Sequence, residues 1–161
     1  ALNLLGAALI KVGDDSTAVQ ALRSAVALVP SGWCEPYGNL AQAYAALKDT
    51  TGAAWATAMV GLCDGRPTEA SELLQPLVGG PMNRDALLGL GQAAEALGDT
   101  AAAISFYSRV YAADPSDFAA ITALNRLGAS APAASPSADP RPSADPSAGP
   151  AASAPAPAGE D

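Results

Sequence analysis

Apolar residues recur at intervals of three and four along most of this chain, with breaks between the runs. In LNLLGAALIKV (2–12), Leu2, Leu5, Leu9 and Val12 share one side, the spacing of a helix face. Gly13 predicts the stop, since glycine tolerates the left-handed conformation that ends helices. Asp14, Asp15 or Ser16 then caps a second helix carrying Ala18, Val19, Leu22, Ala25, Val26 and Leu28, which Pro30 terminates. Tyr37, Leu40, Ala41, Tyr44 and Leu47 predict a third helix with Pro36 in its first turn. After the turn Lys48-Asp49-Thr50 comes a return helix with Trp55, Met59 and Leu62 as its large apolar residues.

Pro67–Val78 predicts one more helix, with Thr68 as its cap and Ala70, Leu73, Leu74 and Leu77 on its face. Val78–Asn83, with two glycines and Pro81, is a loop. Arg84–Asp117 then reads as two antiparallel helices broken at Gly98-Asp99. Phe118, Ile121, Leu124 and Leu127 mark a last short helix, capped by Ser116 or Asp117 and stopped by Gly128.

The marks recur at a fixed offset. Gly6 and Gly91 are 85 residues apart, and so are Pro30 and Pro115; self-similarity of this kind predicts a repeat architecture. Leu5-Gly6, Leu40-Ala41 and Leu90-Gly91 match as small positions in a first helix. Ala18, Ala53 and Ala103 match as small positions in a second, followed by Ala25, Val60 and Val110, and Tyr44 is an aromatic of the first helix. This pattern resembles the tetratricopeptide repeat, a helix–turn–helix unit of about 34 residues. The resemblance covers residues 1–117. It implies an all-α, right-handed helical solenoid of about eight helices. Repeats fall near 1–32, 33–66 and 84–117, with an extra helix at 67–78 and a capping helix at 116–127. Residues 1–128 form the repeat domain.

The extra helix disturbs the phase. Ala41 and Gly91 are 50 residues apart, one repeat plus a further helix. An odd helix reverses the alternation of inner and outer helices. Either the third unit presents its faces the other way, or the Val78–Asn83 loop restores the phase. A rival pairing joins Thr50–Cys63 to Pro67–Val78 and leaves the helix at Glu35–Leu47 as the odd one.

Residues 129–161 differ in kind. They hold eight of the 14 prolines and little besides Ala, Ser, Gly and Asp, a composition that predicts a disordered tail. The chain carries 8 Lys+Arg against 16 Asp+Glu, a net charge of −8. No basic cluster exists to neutralise phosphates, so neither nucleic acid nor an anionic membrane surface is an expected partner. No apolar run is long enough to insert into a bilayer. Ala1 falls inside a helical pattern without Met, which suggests a truncated N-terminus and leaves cytoplasm and cell envelope both open. The Ala-rich, Lys-poor composition suggests a bacterial source.

Candidate chemistry is sparse. There is no His, which removes imidazole ligands and imidazole bases, and no cofactor or metal is expected. Asp14, Asp15 and Asp99 read as caps. No enzyme activity is expected. Cys34 and Cys63, at opposite ends of one hairpin, are close enough for a disulfide in an oxidising compartment. The alternative is two reduced, partly buried thiols, which the lack of a secretion signal favours.

The resemblance implies a protein or peptide partner held in a concave groove lined by the first helix of each unit. By register those positions are Asn3, Ala7 and Lys11, then Gly38, Asn39, Gln42 and Ala45, then Leu88, Gln92 and Glu95. They lack the ring of Lys, Arg and Asn that clamps a C-terminal carboxylate in some relatives. Trp55 and Met59 read as core, although the rival pairing turns them into the groove. A segment that builds a larger assembly is the alternative function.

Overall fold

A computed structural model describes residues 1–28 and 33–129. Pro30 and the 130–161 part of the tail lie outside the described residues. Within them the chain is all-helical: α1 (Leu2–Val12), α2 (Asp15–Leu28), α3 (Glu35–Ala46), α4 (Thr50–Cys63), α5 (Pro67–Leu74), α6 (Asn83–Ala96), α7 (Thr100–Ala113) and α8 (Phe118–Arg126), with a 3₁₀ turn at Gln75–Leu77 after α5. Each helix packs on the next along the chain, as in a stack of hairpins. No described helix is long and apolar enough to cross a membrane.

Local chemistry explains the boundaries. Asp14, Asp49, Asp99 and Asp117 each accept a backbone N–H three residues on, from Thr17, Gly52, Ala102 and Ala120. Each therefore satisfies one of the unpaired donors of a first turn. Thr68 does not cap α5. Pro67 takes the first helical position and Arg66 precedes it, because a missing N–H costs nothing there.

The core is built of small residues. Thirteen of its 24 buried hydrophobics among the described residues are alanine, which lets helices approach closely. The closest approaches fall where the repeat predicts small positions. A Cβ on Gly6 would stand 2.4 Å from Leu22 Cγ, and one on Gly91 the same 2.4 Å from Tyr107 Cε1. Leu22 and Tyr107 are themselves 85 residues apart. The α1–α2 and α6–α7 hairpins are thus two copies of one packing unit.

Between the copies α3, α4 and α5 form an odd number of helices. The largest cluster of buried side chains runs through them, from Leu22 on α2 through Tyr44, Trp55 and Leu74 to Leu90 on α6. α6 is the most enclosed helix, with seven of its 14 residues buried.

Candidate functional site: a groove along alternate helices

The odd helix decides which faces meet. A groove of about 1230 Å³ reaches from α2 to α8. Its walls come from α2, α4, α6 and α8, joined by Cys34, Tyr37 of α3 and Tyr107 of α7. The first hairpin contributes its second helix to this groove, and the last hairpin contributes its first. The Val78–Asn83 loop does not restore the original phase.

Leu88, Gln92 and Glu95 of α6 are among the residues that line this groove. Asn3, Lys11, Asn39 and Gln42 are not among its lining residues. Asn3 is buried and its Oδ1 accepts a 2.9 Å hydrogen bond from Asn39 Nδ2, so these two side chains tie α1 to α3. Lys11 and Gln42 are exposed. The difference arises because α1 and α3 lie on the other side of the phase break. Trp55 and Met59, read as core, are indeed buried, yet they also form part of the groove wall, as the rival pairing has it.

At the α2–α4 end the wall is apolar and aromatic. Tyr37 meets Trp55 edge to face, with centroids 5.7 Å apart and planes at 78°, a favoured geometry for ring quadrupoles. The Arg23 guanidinium lies 5.1 Å from the Trp55 ring centre, within cation–π range. Cys34 and Cys63 are bonded, with Cα atoms 5.7 Å apart. That overturns the reading of two reduced thiols. Antiparallel packing of α3 on α4 brings the entry of one helix beside the exit of the other.

Three arginines link the inner helices. Arg23 on α2 reaches Asp85 on α6 at 2.7 Å, and donates to Tyr44 Oη at 3.3 Å. Arg84 bonds Asp117, the cap of α8, at 2.5 Å and Asp85 at 3.2 Å. Arg126 on α8 grips both carboxylate oxygens of Glu95, with 2.9 Å from Nη2 to Oε1. Tyr107 Oη donates to the same Oε1 at 2.6 Å. Sequence reasoning missed all these pairs. Arg23 and Asp85 are 62 residues apart, and no local spacing links them.

The bonds shift the ionisation of these groups. Burial alone would raise Glu95, but Arg126 and Tyr107 outweigh it and hold its carboxyl below the ordinary range. Burial likewise opposes ionisation of Asp117. Arg84 and the backbone N–H groups of Ala120 and Ala119 overcome it and lower its pKa. Burial first, then the bond to Glu95, keeps the Tyr107 hydroxyl protonated well above the usual tyrosine range. None of these groups is poised to exchange a proton near neutrality.

Residues 84–127 match the sequence model of a family described as the tetratricopeptide repeat. No curated protein and no solved structure matches the chain.

Proposed function

We propose, from the tetratricopeptide repeat family to which residues 84–127 belong, that the chain is a non-catalytic scaffold holding a peptide segment of a partner protein in this groove. Members of that family typically mediate contacts between proteins. The observation that carries the reading is the continuous groove along α2, α4, α6 and α8, which gives a side chain of the partner an apolar wall and its polar groups exposed Gln92 and Thr122. Recognition of a segment laid along a groove draws on such alternating pockets and donors.

A photo-crosslinking residue placed at Gln92 or Thr122 of the full chain, in cells that express it, is expected to trap a partner. The same residue at Lys11 or Gln42 is expected to trap none. Capture from the α1–α3 side alone would overturn the assignment.

A second reading has its own support. α1 leaves Leu4, Leu5 and Val12 exposed, an apolar row of the kind that packs on a further helix. On that reading the chain is a structural segment of a larger assembly, and sedimentation of the full chain would show reversible association that Leu4→Glu abolishes. A monomer at all concentrations would rule self-association out.

A further inference from the structure

The Cys34–Cys63 bond stands in a wall that solvent reaches. Both residues are half-buried and both line the groove, beside Tyr37, Trp55, Met59 and Leu62. Thiol–disulfide exchange needs access of an attacking thiolate to a sulfur, which a bond sealed in a packed core denies and this position grants. These are the chain's two cysteines. An opened pair therefore has no third thiol within the chain to scramble with.

Neither end of the bond depends on it for its place. Along α3, Pro36, Leu40, Ala43 and Tyr44 are buried, and the last three share one buried cluster with Trp55, Ala56 and Met59 of α4. The exit of α4 is closed by the Arg66 N–H, which donates to the Gly61 carbonyl at 2.8 Å. The Arg66 guanidinium then bonds Asp64 at 2.8 Å and Glu69 of α5 at 2.7 Å. Packing thus holds the two Cα atoms at 5.7 Å, inside the range a disulfide requires, roughly 4.4–6.8 Å.

We propose that Cys34 and Cys63 are a redox-active pair, opened by a dithiol and closed again without loss of the fold. A thiolate of the dithiol attacks Cys63 Sγ, forming a mixed disulfide and releasing Cys34 Sγ as a thiolate. The second thiol of the reductant, deprotonated, then displaces Cys63 Sγ. The reductant leaves as its own disulfide, and the pair takes up its two electrons and two protons. Cys34 is the leaving group because it opens α3, where the helix dipole favours an anion, whereas Cys63 ends α4 at the opposite pole. The sulfur with the more stable thiolate leaves faster. Each cysteine is followed by one acid, Glu35 and Asp64, so the helix ends make the difference. The flanking cations are engaged elsewhere, Arg23 with Asp85 and Arg66 with Asp64 and Glu69.

The test treats the oxidised full chain with dithiothreitol in native buffer and at low urea, well below the unfolding midpoint. Thiols are counted by the mass added by a maleimide. Opening is expected at a rate that low urea leaves unchanged, with the helical circular dichroism retained and amide protection kept at Leu40 and Ala43. Oxidised glutathione is expected to restore the bond. A rate that climbs steeply from the first addition of urea is the mark of opening through the unfolded chain, and it would overturn the proposal. Loss of the helical signal on reduction would do the same, since the bond would then be a staple of the fold. For the leaving group, the reduced chain is pulse-alkylated with iodoacetamide across pH, and each cysteine is followed by peptide mass. Cys34 is expected to react with a midpoint below the ordinary thiol value of about 8.5 and below that of Cys63. The reverse order would overturn the assigned direction of attack. Neither measurement involves a partner, so failure here is distinct from failure of the groove as a peptide site.

Discussion

Single residues set how closely the helices approach. Gly91 faces Tyr107 with no room for a side chain, since a Cβ would lie 2.4 Å from the ring. Tyr107 cannot easily yield, because its hydroxyl is held by Glu95 at 2.6 Å. Gly91→Leu is therefore expected to lose about 1–3 kcal/mol by overpacking, read as a lower urea midpoint with an unchanged slope. Lys48 gives the opposite case. It takes φ 59° at the turn between α3 and α4, where Gly13 and Gly98 take 80° and 79° at the equivalent turns. A side chain in that region costs about 1–2 kcal/mol, and glycine returns part of the gain as unfolded-chain entropy. Lys48→Gly is thus expected to stabilise by about 0.5–1 kcal/mol. A lower melting temperature would show that the Lys48 side chain contributes a contact worth more than the backbone strain.

At the level of elements, the disulfide joins the residue before α3 to the end of α4 across a sequence separation of 29. In the chain-entropy picture a loop of this size restrains the unfolded state by about 3–4 kcal/mol. Cys34→Ser with Cys63→Ser is expected to lose about that much in urea unfolding, and reduction of the parent chain to lower it to the same level. A midpoint equal to the parent's would mean that the hairpin is as restrained without the bond. The helices themselves were readable because their signals are local. Gly13, Gly98 and the capping aspartates act within a turn of where they stand, and the 85-residue offset exposed one hairpin as the copy of another. The side of the groove was not readable. It depends on whether α3 or α5 counts as the odd helix, and Ala53 and Ala70 fit the same small position equally well. Of the residues that share one register position, Asn3 and Asn39 pair with each other between α1 and α3, whereas Leu88, Gln92 and Glu95 line the space between α2, α4, α6 and α8.

Over the whole molecule, ion pairs between distant helices hold the groove walls at fixed spacing, so its shape should depend on pH. Arg84–Asp117 and Arg126–Glu95 both tie α8 to α6, and Asp117 and Glu95 both ionise below their ordinary values in the folded chain. A depressed carboxyl contributes stability above its unfolded pKa, about 3.9 for Asp and 4.3 for Glu. That contribution is lost as pH falls through the folded values. The urea midpoint is therefore expected to stay level from pH 7 to about 5 and to fall below that. Loss should begin at α8, whose cap Asp117 titrates and whose last-turn Arg126 is held by the titrating Glu95 of α6, so amide exchange at Ala123 and Leu124 should quicken before exchange at Leu40 or Ala43. Glu95→Gln is expected to cost about 1 kcal/mol at pH 7, a modest figure because Arg126 is exposed, and to flatten the acid limb. Parallel pH curves for the two proteins would show that Glu95 is not part of the acid response, and uniform exchange along the chain would show that α8 does not open first.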